Sequence, residues 1–335
     1  MAKAPSRSRA VYFVGAGLSC AFGLPNTAAL LTEIAAESAS TGIGPKADAL
    51  QSAYAAFYPD GNKKHYVPDT VDFFSSLQAY IDIGAPGLPG VKLKEAKELM
   101  RDLKLAITRL LVGRIRSAEA TGRLAIGNPY LDKIVQPGNV IVTTNWDLLI
   151  ERYAALKGVH VRRTGDPADS TLLLLKLHGS VDWTDWSIRK PQASVPADDF
   201  AALAEATKRV SLPAAGASDI VRIRALEHWN RCWQRINGRT EEPFLVTMYR
   251  GKGAELAALS TVWEDAYDAL SRAKSLEIVG YSLPSDDVEI RTLLRAGLTR
   301  GQQRVGVTVR NPAPDVHSRI RHQVITAITS NYSPV

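Results

Sequence analysis

Cysteine is nearly absent from this chain of 335 residues, which has only Cys20 and Cys232. Two thiols cannot build a disulfide framework or a four-thiolate zinc site, so the expectation is a reduced, cytoplasmic chain with no zinc-binding module and no other metal site. Long apolar runs are missing too. No stretch reaches the roughly 18 to 20 apolar residues of a membrane span, and the apolar start Val11 to Val14 is broken at once by Gly15, Ala16 and Gly17. Neither a membrane segment nor a signal peptide is read, and internal repeats and low-complexity tracts are also lacking. Charge of one sign is in small excess. Forty-one Lys and Arg against 34 Asp and Glu give +7, with clusters at Lys63-Lys64, Arg162-Arg163 and Arg222 to Arg235. Such a balance is compatible with nucleic acid but does not indicate it, and is the usual charge of a solvated surface.

What is present is an alternation of short apolar runs with helical periodicity, which implies a Rossmann-like α/β fold with a mostly parallel sheet flanked by helices. The strands are expected at Val11 to Gly15, Val140 to Thr144, Leu172 to Leu177, Phe244 to Met248, Leu276 to Tyr281 and Val305 to Arg310. They are nearly continuous apolar runs, as strands covered on both faces should be. Helices are expected over Lys92 to Ser117, Asp147 to Lys157, Ala254 to Ala273 and Ser285 to Leu298. The expected organisation is a flexible leader over residues 1–9 and one domain over 10–335. That domain carries a helical insertion over about 42–138 and a second insertion over about 184–242, which contains Trp186, Trp229 and Trp233.

Polar turns follow several of these strands. Gly15-Ala16-Gly17-Leu18-Ser19, followed by Gly23-Leu24-Pro25, reads as a tight turn between strand and helix. Glycine there would permit positive φ and let backbone N–H groups approach a pyrophosphate, although close packing alone also calls for glycine. Cys20 stands where a dinucleotide motif has its third glycine, and no Lys-Ser or Lys-Thr makes a Walker loop. Thr143-Thr144-Asn145-Trp146-Asp147 closes the second strand, at the edge where open α/β sheets bind ligands. Helix capping by Asn145 and Asp147 is the plainer account of the same residues. Lys176-Leu177-His178-Gly179-Ser180 ends the third strand at the same edge and sets His178 apart from the other five histidines. Gly280-Tyr281-Ser282-Leu283-Pro284 and Asn311-Pro312 follow the last two strands in the same way.

Taken together and in order, these turns resemble those of the sirtuin-like NAD-binding family, from Val11 to Asn311 and outside the two insertions. Gly15-Ala16-Gly17-Leu18-Ser19 with Gly23-Leu24-Pro25 is similar to its glycine loop, Thr143 to Asp147 to its Thr-Gln-Asn-x-Asp element, and Leu177-His178-Gly179 to its catalytic histidine element. Gly280-Tyr281-Ser282-Leu283 is similar to its Gly-Thr-Ser-Leu turn, and Asn311 to its adenosine-side asparagine. The paired Cys-x-x-Cys elements of the deacylases are lacking, and Asn26-Thr27 stands where they carry an arginine after the glycine loop. In these respects the chain is most similar to the prokaryotic sirtuin-like NADases of antiphage defence.

The resemblance implies NAD as substrate, cleaved by hydrolysis at the nicotinamide–ribose bond. Asn145 and His178 would be the catalytic pair, and Gly15, Ala16, Gly17, Ser19, Pro25, Thr144, Asp147, Gly280, Ser282 and Asn311 would bind the dinucleotide. An NADase must be held in check in its own cell, so a homo-oligomer or a separate activating partner, such as a defence-system ATPase or sensor, is expected. Deacylation or ADP-ribosyl transfer stays open as an alternative, as does a non-catalytic NAD or ADP-ribose sensor or scaffold.

Overall fold

A parallel strand in the middle of a sheet is wetted on neither face, so apolar runs rich in Val, Ile and Leu are what such a position selects. In the computed structural model those runs form one seven-stranded sheet. The described residues are 10–41, 44–84, 91–165, 169–186, 207–210, 219–223, 243–247, 253–300, 305–325 and 332–334. The strands are β1 (Ala10–Val14), β2 (Val140–Thr143), β3 (Val161–Arg162), β4 (Leu172–Lys176), β9 (Ser275–Val279), β10 (Gly306–Arg310) and β11 (Tyr332–Pro334), and they lie in the order β11-β10-β9-β1-β2-β4-β3. Every pairing in it is parallel, with Val11 opposite both Val140 and Leu276.

Side chains alternate between two cores, one on each face. Tyr12, Val14, Ile141, Leu172 and Leu174 belong to one. Val11, Phe13, Val140, Val142, Leu173, Leu175, Leu276, Ile278, Val307 and Val309 belong to the other. The first face is covered by α2 (Leu30–Thr41), α3 (Ala47–Phe57), α4 (Thr70–Ile83), α5 (Leu93–Ala120), α6 (Pro129–Ile134) and α7 (Leu149–Leu156). The stretch between β1 and β2 therefore supplies a whole layer of the sandwich, and its described residues hold helices and loops only. The second face is covered by α8 (Gly253–Ala258), α9 (Ser260–Ser271), α10 (Val288–Arg300) and α11 (Pro314–Ile320), which runs into a π turn over Arg321–Ile325.

Two expectations need correction. The apolar run starting at Phe244 does form a strand, β8 (Pro243–Leu245), but not in the parallel sheet. It pairs antiparallel with β5 (Gly179–Trp186) in a small sheet of order β6-β7-β5-β8, where β6 is Thr207–Val210 and β7 is Asp219–Ile223. A short apolar run specifies burial and not the hydrogen-bonding partner, so both sheets accept it. Similarly, the helical pattern from Ala254 to Ala273 is broken at Leu259 into α8 and α9. Residues 1–9 and most of 184–242, including Trp229 and Trp233, lie outside the described residues.

This topology decides where a ligand could sit. From β1 the chain crosses to β2 on one side, and it later returns to place β9 on the other side. The loops after β1 and β9 thus leave the sheet in opposite directions, which opens a crevice at the carboxyl edge.

Candidate active site

Around this crevice the loops are bonded to one another. After β1, α1 (Ala16–Cys20) starts within one residue, and that leaves no room for a side chain where the β9 loop passes. A Cβ on Gly15 would stand 2.6 Å from the Gly280 carbonyl oxygen, and one on Gly17 would stand 2.7 Å from the Gly280 Cα. Gly15 has φ −113°, so close approach and not positive φ is what requires glycine here. Positive φ belongs instead to Gly280, at +60°. The N–H groups of Gly15 and Gly17 donate to the carbonyls of Val279 and Gly280 at 2.9 and 2.8 Å. These two donors are committed to holding the loops together, while Ala16 is half-buried and Gly17 exposed at the crevice.

Asn145 and Asp147 reach into the same turn from the end of β2. The Asn145 amide nitrogen donates to the Gly15 carbonyl and to Ser19 Oγ, both at 3.1 Å. Ser19 Oγ in turn donates to Asp147 Oδ2 at 2.7 Å, and the Leu149 N–H donates to Asp147 Oδ1 at 2.9 Å. Asp147 is thereby buried just ahead of α7, whose N-cap is Leu148 without a side-chain cap, and Asn145 spends its amide on the β1 turn and not on a helix end. Burial pushes its carboxyl above the usual carboxylate range, opposed mainly by the nearby Lys176 ammonium.

His178 follows β4, the neighbour of β2, with Thr143 opposite Lys176 at the strand ends. Beyond that point the two segments stay tied. The Leu177 N–H donates to the Thr143 carbonyl at 2.8 Å, and the Val181 N–H donates to the Trp146 carbonyl at 3.0 Å. Asn145 and His178 lie between these two ties, one on each segment. On its other side His178 is held by the residue after β8, Val246, whose N–H donates to the His178 carbonyl at 2.9 Å. Gly179 then turns at φ +80°, where a Cβ would lie 2.1 Å from the Phe244 carbonyl oxygen, so only glycine can follow this histidine. His178 is 6% exposed.

Sequence reading did not find a buried ionic cluster beneath these loops. Lys176 is 1% exposed, and its ammonium donates to Glu151 Oε1 at 3.1 Å, to Ser180 Oγ at 2.8 Å, to the Trp146 carbonyl at 3.2 Å and to the Asp147 carbonyl. Arg163 pairs with the same Glu151 oxygen at 3.3 Å and with Asp182 Oδ2 at 3.4 Å, and Ser180 Oγ donates to Asp182 Oδ1 at 2.6 Å. Two cations therefore face two carboxylates with almost no water. The one available signal was Lys176 itself, a charged residue closing the run Leu172 to Leu175.

The late turns form the other rim. The Asn311 amide donates to the Tyr281 carbonyl at 3.4 Å, and Arg319 Nη1 donates to the Ser282 carbonyl at 3.1 Å. Tyr281 is buried and its hydroxyl donates to Asp287 Oδ2 at 2.9 Å; burial holds that phenol well above its ordinary range. Ser282 is exposed at this rim, and Thr144 and Asn311 are half-buried. The structure thus brings Gly15, Gly17, Ser19, Asn145, Asp147 and Gly280 into one bonded network, with Ala16 and Thr144 inside its segments and Ser282 and Asn311 beside it. Pro25 stands half-buried on the loop beyond α1, outside that network. Among the described residues no three His, Cys, Asp or Glu side chains gather as a metal site, and no helix is long and apolar enough to cross a membrane.

Residues 139–199, the segment carrying Asn145 and His178, match the model of a protein family. This segment is similar to the SIR2-like domain. Among solved structures, one described as "Structural Basis for the Mechanism and Regulation of Sir2 Enzymes" is 15% identical, covering 96% of this chain and 94% of that one, with a TM-score of 0.31. No curated protein matches the chain.

Proposed function

We propose that this chain hydrolyses NAD at the nicotinamide–ribose bond, giving nicotinamide and ADP-ribose. The observation that carries the reading is the pair of ties, Leu177 to Thr143 and Val181 to Trp146, that hold the Asn145 and His178 segments together at the carboxyl ends of the neighbouring strands β2 and β4. The SIR2-like match over residues 139–199 supports it.

Nicotinamide leaves a cationic pyridinium as a neutral amine, so no acid need protonate it. Water adds to the anomeric carbon as the C–N bond breaks, and one proton must go to a base. His178 is that base, because imidazole exchanges protons near neutral pH. Asn145, fixed through Gly15 and Ser19, orients the ribose or the water. Asp147 faces the nicotinamide carboxamide, with Thr144 beside it. The diphosphate lies along the turn of Gly15, Ala16 and Gly17, with Ser19 below and the Ser282 hydroxyl on the opposite rim; Gly280 and Asn311 border the adenosine half, and Pro25 closes the loop. General-base help is worth roughly 100-fold to 10,000-fold, and the preorganised polar wall supplies the rest.

In this reading residues 10–335 are one NAD-binding domain, with residues 42–138 and 184–242 as insertions, working in the cytoplasm as a regulated NAD-depleting effector of prokaryotic antiphage defence. Self-association or a separate partner protein switches it on. The test is incubation with NAD followed by chromatography for nicotinamide and ADP-ribose. His178→Ala is expected to lose turnover while still binding NAD; release at the wild-type rate would remove His178 as the base.

A second reading has an observation in its favour. The Asn145 amide hydrogens and both Asp147 carboxylate oxygens already bond to protein groups, as they would in a site that binds a nucleotide and performs no chemistry on it. Such a sensor or scaffold would bind NAD or ADP-ribose and leave it intact in the same assay.

A further inference from the structure

Lys176 touches both segments of the proposed active site. Its ammonium bonds to the backbone carbonyls of Trp146 and Asp147, which flank and follow Asn145. It also bonds to Ser180 Oγ, two residues beyond His178, at 2.8 Å. Because Lys176 itself lies two residues before His178, the Lys176–Ser180 bond closes a loop of five residues with the histidine at its middle. Ser180 has a single proton, and its 2.6 Å contact to Asp182 takes it, so the hydroxyl accepts from Lys176 and cannot turn away. Glu151 on α7 and Arg163 after β3 complete the charge balance.

We propose that Lys176 is a positioning residue, an ammonium strap that fixes the His178 turn and the Asn145–Asp147 turn in one relative geometry. This rests on the reading of Asn145 and His178 as the catalytic pair. A charge in this place has a reason that an apolar residue could not meet. The Trp146 and Asp147 carbonyls and the Ser180 hydroxyl point into a dry space between adjacent strand ends, and one cation satisfies all of them at once. Four oxygen partners on three different segments also leave the ammonium no second position, which is the property a positioning group needs.

The strap predicts a separation between chemistry and binding. Lys176 bonds to the backbone of Asp147, which is placed against NAD, as well as to the His178 turn, so its loss should misplace the base and weaken binding to a smaller degree. A misplacement on the order of 1 Å costs roughly 100-fold in rate. Lys176→Gln and Lys176→Met are expected to lower kcat for nicotinamide release by about that factor, with NAD affinity by calorimetry falling by much less. Ser180→Ala, which removes one anchor and keeps the charge, is the milder variant should the first two fail to fold, and is expected to lose about tenfold in kcat with KM unchanged.

Hydrogen exchange supplies a readout free of activity. Peptides covering 143–147 and 177–181 should exchange faster in Ser180→Ala or Lys176→Gln, while those of β1 and β9 stay as in wild type. Wild-type kcat in a folded variant, kcat and affinity falling by the same factor, or unchanged exchange at 143–147 and 177–181 would each overturn the strap. An inactive wild-type protein whose variants still exchange faster at these two segments would sink the hydrolase reading and leave the strap standing as a feature of a binding site.

Discussion

A carboxyl group removed from water is held back from ionising, and Asp147 is such a group. Its raised value has burial as the main cause, against the opposing pull of Lys176 and the bond from Ser19. The sign of its linkage to folding follows. At acid pH the group is protonated folded and unfolded alike, but as pH rises the unfolded chain ionises first, so stability falls until pH passes the raised folded value. Asp147→Asn keeps an oxygen for the Leu149 N–H and sets an NH2 against Ser19 Oγ, whose hydroxyl must turn to accept, while abolishing that titration. Its stability relative to wild type should therefore improve as pH rises above the ordinary carboxylate range, measured by urea midpoints across a pH series; a constant difference would show that Asp147 titrates normally. Nearby, Arg163 balances both Glu151 and Asp182 with its side chain 6% exposed. Arg163→Met is expected to cost about 3 to 5 kcal/mol, because it strands a buried carboxylate. A cost below about 1 kcal/mol in urea titration would mean that water reaches the cluster. Residues at this scale were only partly legible. Gly15, Asn145, Asp147 and His178 stand out because each follows an apolar strand, whereas a lysine at a strand end reads as the start of solvent, and only the fold shows that β5 and α7 close over Lys176.

Elements were more legible than their partners. The apolar runs that became β1, β2, β4, β9 and β10 carry both cores in their alternation, and the long repeat of Leu99, Leu103, Ile107 and Leu110 made α5 plain. β3 and β11 are too short for a periodicity, and β8 shows that burial leaves the choice of sheet to the topology. Both reasons read for the glycine turn apply, at different positions: Gly23 and Gly280 have positive φ, while Gly15 and Gly17 need only the absence of a side chain. Two glycines at opposite ends of the β9–β10 pair respond in opposite ways. At Gly280 an added Cβ would stand 2.3 Å from the Leu18 nitrogen, at φ +60°. Gly280→Ala should cost about 3 kcal/mol and separate the β1 and β9 loops. At Gly306 on β10 nothing lies within 4 Å of an added Cβ, so Gly306→Ala should leave stability unchanged or raise it by up to about 1 kcal/mol. Thermal melts of the two variants check both, and equal effects would discount the loop contact.

At the scale of the molecule, the helices between β1 and β2, which the sequence reading places largely within a helical insertion, form one of the two layers that keep the parallel sheet dry. The helices between β1 and β2 bury Tyr12, Val14 and Ile141, and α5 also runs against β5 and β8, so they join the parallel sheet to the small antiparallel one. Removing that layer would wet a face made of Val, Ile and Leu, at about 25 cal/mol for each Å2 exposed. No intermediate that has lost these helices and kept the sheet should therefore be populated. The distribution of tryptophan makes this measurable. All six tryptophans, from Trp146 to Trp263, lie after β2 begins, and the stretch between β1 and β2 has none. Tryptophan fluorescence accordingly reports on positions outside that layer, among them Trp146 after β2, Trp183 on β5 and Trp263 on α9, while ellipticity at the helical band is weighted toward the layer that includes the long α5. If the two are one cooperative unit, both signals fall at the same urea concentration with one slope. A helical signal lost at lower urea, with fluorescence still native, would mark residues 42–138 as a subdomain that unfolds by itself.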